Sequence, residues 1–235
     1  MNEFNETPKE SRDVSKVSEV KETKAEYSSL REVWKNFTNS IREFFDSDTE
    51  VREMHREFME AREYGVSECA DVAKGCFTPE VISEWGIMSY EERDSVIQEY
   101  AVGIGEALDI TFKGVIWENM PYEYGSYTYG YNCGDGYIHL NADLLADPGQ
   151  LIQLVDTVAH EARHQMQAEA VENPERFPFD EATIKEWKVG FEVYTTEMPN
   201  AYDPWGYTYN PTEVDARFFG ESMVRELTKD IINNA

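Results

Sequence analysis

The chain carries the stretch LIQLVDTVAHEARHQMQAEAVEN at residues 151–173, where His160, Glu161 and His164 follow the pattern H-E-x-x-H. In a helix, residues four apart lie one turn above each other on the same face. Two imidazoles so placed can bind one metal ion, and a glutamate beside the first can reach a water on that metal. The stretch therefore predicts a helix that supplies two ligands of a zinc site.

The helix is predicted independently of the motif. Asp147-Pro148 is typical of a helix start and Asn173-Pro174 of a helix end. Two surface histidines on an amphipathic helix are the alternative interpretation. The apolar residues form one stripe at helical spacing, with the histidines off its centre: Leu151, Leu154, Val155, Val158, Ala162 and Met166.

The composition and charge of the chain disfavour partners that are strongly negative. The 235 residues include 41% hydrophobic and 13% aromatic residues, enough for one sizeable globular domain. The formal net charge is −26, so binding to nucleic acid or to an anionic membrane is disfavoured by repulsion. We expect a protein or peptide substrate that is neutral or basic.

The sequence predicts a cytoplasmic protein. It has no apolar run long enough to span a bilayer, and MNEFNETPKESRDVSK lacks the features of a signal peptide. The three cysteines, Cys69, Cys76 and Cys133, lack a framework spacing, which favours free thiols in a reducing compartment. Export without a cleavable signal peptide remains an alternative.

Three segments are predicted along the chain. Residues 1–25 are polar and are expected to form a disordered or loosely ordered lead-in. Residues 26–88 are expected to form a helical extension, because apolar residues recur at helical spacing, and residues 89–235 to form the catalytic domain. Packing of the extension on that domain is favoured over a docking arm. The stripe of the first extension helix consists of Leu30, Trp34, Phe37, Ile41 and Phe44.

A helix and then strands are predicted before the motif. Ser89 to Glu92 is a capping box, and the helix that it opens should end near Asp109. ITFKGVIW at residues 110–117 predicts a strand, and residues 125–141 predict a hairpin with its turn at 133–136. If its second strand is a sheet edge, it can serve as a ledge for an extended peptide. His139 in that strand is either an exposed histidine or a substrate contact.

A third ligand is expected after the motif, because catalytic zinc generally has three protein ligands and one open position. A helix is predicted at 181–194, then a long loop at 196–211 that could form one wall of a cleft. Asn210-Pro211 opens the last helix, and Glu213 in its first turn is the candidate ligand. The alternative is a capping carboxylate that pairs with Arg217.

Two motifs of this chain, H-E-x-x-H at residues 160–164 and the segment that begins at Glu213, resemble those of the gluzincin metallopeptidases. They come closest to the compact intracellular ImmA/IrrE type. That type combines an H-E-x-x-H helix with a second motif of the form E-x-x-A-N-x-F-A. The matching positions in this chain are Glu213, Ala216 and Phe219, whereas Arg217 stands where the family prefers Asn and Gly220 where it prefers Ala. The resemblance covers roughly residues 110–227.

The resemblance implies Zn²⁺ bound by His160, His164 and Glu213, with Glu161 as general base. It also implies an α+β, zincin-like fold: a small, mostly antiparallel sheet flanked by helices, with the metal between two of them. An oxyanion partner is not evident from the motifs; Tyr207, Tyr209 and His139 are candidates by their chemistry alone.

Asp215 has two possible roles. It can hold a ligand histidine through its second ring nitrogen, or it can be a solvated helix carboxylate.

Three functions are compatible with the sequence. The first is a zinc-dependent endopeptidase, and the second is a catalytically silent interaction module on the same scaffold. The third is a secreted proteolytic toxin or effector. Glu161 beside both histidines favours an active enzyme.

Overall fold

The helix predicted around the H-E-x-x-H motif is confirmed. The computed structural model describes residues 59–120, 127–197 and 209–234, without the side chains of 194–197 and 230–234. Asp147 caps a 3-10 turn at Pro148–Gln150 that leads directly into the motif helix, Leu151–Glu172. Leu154, Val158 and Ala162 of the apolar stripe are fully buried.

Seven α-helices and three β-strands are present in the described residues. The bounds are α1 Val66–Cys76, α2 Pro79–Glu84, α3 Tyr90–Ala107, β1 Gly114–Glu118, β2 Gly130–Asn132, β3 Tyr137–Asn141, α4 Ala142–Ala146, α5 Leu151–Glu172, α6 Glu181–Glu197 and α7 Pro211–Asn234. Residues 59–63 are also helical. None of the described helices combines the length and the apolar character needed to cross a membrane.

The chain divides into two compact units, Met1–Arg56 and Glu57–Ala235. All described residues belong to the second unit. The predictions for the lead-in and for the first extension helix lie outside the described residues. Within the second unit, Phe77 between α1 and α2 packs edge-on against Trp85 and against Tyr100 of α3.

The local signals before the sheet are largely confirmed. Ser89 and Glu92 form both hydrogen bonds of the predicted capping box at the start of α3. The strand expected at 110–117 is shorter, because Ile110 still donates its N–H to the carbonyl of Gly105 at the end of α3. Gly114, with φ 130°, marks the point where the extended chain begins.

The sheet is mixed, so the expectation of a mostly antiparallel sheet is wrong. The order is β1-β3-β2, in which β3 pairs with β1 in parallel and with β2 in antiparallel orientation. Two successive reversals of the chain give the first and third strands the same direction, and β3 lies between the other two. The predicted ledge on β3 is therefore also wrong, because the edges are β1 and β2.

The helices pack around the sheet to form an α+β fold. Ile138 and Leu140 of β3 are fully buried in the core that also contains the apolar stripe of α5. Helix α7 lies along α5, and this helix pair has the most extensive contact in the described structure. Helix α7 begins as predicted, because the side chain of Asn210 accepts a hydrogen bond from the N–H of Thr212.

Candidate metal centre

Three side chains from α5 and α7 converge on one point. The Nε2 atoms of His160 and His164 are 3.0 Å apart. The two carboxylate oxygens of Glu213 lie 3.4 Å from Nε2 of His160 and 3.3 Å from Nε2 of His164. Helical spacing places the imidazoles on one face of α5, and the packing of α7 against α5 brings Glu213 to them.

The separations fit a zinc ion. Two ligand atoms about 2.0 to 2.1 Å from Zn²⁺ are about 3.3 to 3.4 Å apart at a tetrahedral angle. Both histidine to Glu213 distances match this value, and the distance between the two Nε2 atoms is somewhat shorter. The two distances involve different oxygens of Glu213, so its carboxylate faces both imidazoles.

Gln167 fixes the tautomer of His164. The amide nitrogen of Gln167 faces two groups that can only accept, the carbonyl of Thr212 at 3.0 Å and the carboxylate of Asp215 at 2.6 Å. Its amide oxygen therefore faces Nδ1 of His164, at 2.9 Å, and accepts a hydrogen bond from the N–H at that position. In the neutral ring, Nε2 then presents its lone pair to His160 and Glu213.

Glu213 supplies a second sign of a cation. Its side chain is 2% exposed. Among the described residues, no donor forms a hydrogen bond with its buried Oε2 atom, although Nε2 of His160 lies 3.4 Å away. A buried carboxylate oxygen without a donor is costly, and a bound cation would remove that cost.

The electrostatics of the metal-free site agree with this assignment. Burial lowers the pKa of His164, but Glu213 and Glu161 outweigh it and raise this pKa to about 9. Burial raises the pKa of Glu213, yet the neighbouring His160 and His164 hold it well below its usual range. The pKa shifts of His164 and Glu213 thus have one cause, the close contact of imidazoles with a buried carboxylate.

Glu161 has the environment expected of a general base. It follows His160 on α5 and is 7% exposed. Burial raises the pKa of its carboxyl above the usual value, against the opposing effect of His164 and His160. A carboxylate whose pKa is raised accepts a proton more readily than an exposed glutamate does.

Asp215 lies behind the site and contacts neither histidine. Both of its oxygens accept hydrogen bonds from the fully buried Arg163, at 2.8 and 3.0 Å. It also accepts the bond from Gln167, through which it acts on His164. Of the two roles expected for Asp215, solvated carboxylate is excluded, because this residue is 3% exposed. A direct bond to a ligand histidine is replaced by one through Gln167.

Of the candidates for the oxyanion partner, His139 lies away from the centre. His139 points to the sheet face opposite Ile138 and Leu140, and it is 7% exposed, so the expectation of an exposed histidine is wrong. Burial lowers its pKa, but Glu118 and Asp135 outweigh it and the net shift is upward. Tyr209 is 55% exposed at the start of the last helix. Tyr207 and most of the loop at 196–211 lie outside the described residues.

Sequence reasoning missed Gln167 and Arg163. Gln167 is three residues after His164, so helical spacing alone could have placed it beside that imidazole. Arg163 lies inside the motif, and no local pattern shows that it is buried.

Comparison with protein-family models, with curated proteins and with solved structures finds no match to this chain.

Proposed function

We propose that this protein is a zinc-dependent endopeptidase of the gluzincin type, with a zincin-like arrangement of α5 and α7. The observation that supports the proposal is the convergence of two imidazoles and a carboxylate 49 residues later in the chain, beside a buried glutamate. His160, His164 and Glu213 would hold the metal. The donor set is the histidine and glutamate combination found in catalytic zinc sites.

A bound zinc ion supplies Lewis acidity, which lowers the pKa of a coordinated water and polarises a carbonyl group. Glu161 accepts the proton that the attacking water loses and then donates it to the amine of the leaving peptide. Burial raises the pKa of Glu161, which favours the protonated carboxyl that the second step requires. The hydrogen bond that Gln167 accepts from Nδ1 of His164 would keep Nε2 of that ring directed toward a bound metal.

Strand β2 supports a role for an extended substrate. It is an edge strand of the sheet. The side-chain amide of Asn132 in β2 donates to the backbone carbonyl of Glu161 at 3.4 Å, so this edge lies along α5. A peptide that adds to β2 by main-chain hydrogen bonds would run beside the metal centre. The net charge of −26 favours neutral or basic segments.

The experiment compares cleavage of casein by zinc-loaded wild type and by Glu161→Gln. We expect the variant to retain zinc and to lose activity by about 10²- to 10⁴-fold, because the proton acceptor is gone. Glu172→Gln, an exposed glutamate on the same helix, is the matched control and should cleave like wild type. Equal cleavage by the Glu161 variant would contradict the assigned base. Absence of cleavage by zinc-loaded wild type would favour the interaction module.

A further inference from the structure

A second group of metal-binding side chains lies on the β2–β3 hairpin. One ligand atom from each of Cys133, Asp135 and His139 lies within 4.8 Å of the others. Nε2 of His139 is 3.6 Å from Sγ of Cys133 and 3.2 Å from Oδ2 of Asp135. We call these three residues the hairpin cluster. It is separate from the centre between α5 and α7, because His139 points to the other face of the sheet.

The distances in the hairpin cluster fit a tetrahedral ion. With Zn–S about 2.3 Å and Zn–N about 2.0 to 2.1 Å, sulfur and nitrogen are about 3.6 Å apart, and nitrogen and oxygen about 3.3 Å. The observed separations of 3.6 and 3.2 Å agree with both values. A thiolate, an imidazole and a carboxylate together are typical of a borderline cation such as Zn²⁺ rather than Mg²⁺ or Ca²⁺.

His139 is held in the orientation that a ligand requires. Its Nδ1 lies 2.6 Å from a carboxylate oxygen of Glu118, which can only accept, so Nδ1 carries a proton. Nε2 of the neutral ring therefore presents a lone pair to Cys133 and Asp135. A carboxylate behind a ligand imidazole is the usual outer contact of a zinc histidine.

Tyr131 completes the support of the ring. It stacks on the imidazole of His139 with centroids 4.5 Å apart and planes 7° apart, and its hydroxyl donates to Glu118. His139 is thus buried, whereas Cys133 and Asp135 are exposed, so an ion can enter from solvent. A protonated imidazole would explain why the ring of His139 lies between the carboxylates of Glu118 and Asp135. It would not explain why the thiol of Cys133 also faces Nε2 of that ring.

We propose that Cys133, Asp135 and His139 bind a second divalent transition ion of the zinc class, with one coordination position open to solvent. Binding releases the thiol proton of Cys133, and the cation offsets the negative charge of Asp135 and Glu118. The ion joins the turn at 133–136 to the central strand β3. It thereby stiffens the hairpin that carries Asn132, whose amide contacts the backbone of Glu161. This site does not depend on the proposed peptidase activity.

The test uses Co²⁺ as a probe with the full-length, metal-free protein. A thiolate ligand gives a strong near-ultraviolet charge-transfer band on Co²⁺, and the centre between α5 and α7 has no sulfur ligand. We expect wild type to show this band and Cys133→Ser to lose it. Cys76→Ser, a control thiol on α1, should keep the band.

Zinc content after dialysis provides a second measurement. We expect two equivalents in wild type, one in Cys133→Ser and one in His160→Ala, which retains the hairpin cluster. The cobalt band should persist in His160→Ala, so failure of one site is distinguishable from failure of the other. A wild-type protein without the sulfur band, or a band that survives Cys133→Ser, would overturn the proposal.

Discussion

Gln167 joins the two helices of the metal centre through a single amide group. Its oxygen accepts a hydrogen bond from Nδ1–H of His164, and its nitrogen donates to Asp215 and to the carbonyl of Thr212. The same amide therefore determines which nitrogen of His164 faces His160 and Glu213, where a metal would bind. A side chain without this amide leaves the ring free to rotate and to change tautomer.

We predict that Gln167→Leu weakens zinc binding by about 10- to 100-fold, the effect expected when an outer contact of a ligand is lost. The measurement is competition with a chelating dye in a Cys133→Ser background, so that the hairpin cluster does not contribute. Gln165→Leu, two residues away and paired with Glu169, is the control and should bind zinc like its parent. Unchanged affinity in the Gln167 variant would contradict the role of this amide.

The residues of the centre differ in how far the sequence could predict them. His160, Glu161 and His164 share one helix, so their spacing is sufficient to place them together. Glu213 was a candidate because catalytic zinc generally has a third protein ligand, but a helix cap remained an alternative, because no local pattern states which side of α7 packs on α5. For the same reason the contacts of Asp215 with Arg163 and Gln167 were not predictable.

At the scale of elements, α5 and α7 approach closely where Gly220 faces Asp156. A Cβ atom on Gly220 would lie 2.9 Å from the backbone oxygen of Asp156 and 2.5 Å from its Oδ1. Backbone cannot move aside as a flexible side chain can. The close approach accounts for a glycine at this position of α7.

Gly220→Ala is predicted to destabilise the protein by about 1 to 3 kcal/mol, the usual cost of overpacking. Helix propensity alone predicts the opposite, a gain of about 1 kcal/mol. Gly75→Ala in α1 is the matched control, because nothing lies within 4 Å of its added Cβ and propensity should dominate there. Urea unfolding measures both, and a stabilised Gly220 variant would contradict the close approach.

The strands show where sequence reasoning fails at this scale. The hairpin of β2 and β3 was predictable, because its turn contains Gly134 and Gly136. Both glycines adopt positive φ in the structure. The position of β3 between β1 and β2 was not, because alternation defines the faces of a strand and not its neighbours. The prediction that an extended peptide binds along β3 and the prediction that His139 is exposed both depended on the order of the strands.

At the scale of the whole described structure, Arg163 connects segments far apart in sequence. It is fully buried and donates to the backbone carbonyls of Ala61 and Tyr64 and to the carboxylate of Asp215. Its guanidinium also lies over the ring of Phe219, 5.0 Å from the centroid. The residues just before α1 are thereby attached to α5 and α7 directly behind the metal centre.

Arg163→Met should destabilise the protein by about 3 to 5 kcal/mol, because Asp215 is left as a buried charge without its partner. Arg163→Met combined with Asp215→Asn removes that charge and should recover part of the loss. Thermal or urea unfolding of the two variants and of wild type measures the difference. A single variant that is no less stable than the double variant would contradict the buried ion pair.

The central claim is that Glu213 is a metal ligand and not a helix cap. Zinc affinity of Glu213→Gln in the Cys133→Ser background tests it most directly, with Glu221→Gln on the exposed side of α7 as control. The account predicts a loss greater than about a hundredfold, beyond the effect of outer contacts. Unchanged zinc affinity with a stability loss of about 1 kcal/mol, as for a lost cap, would contradict it.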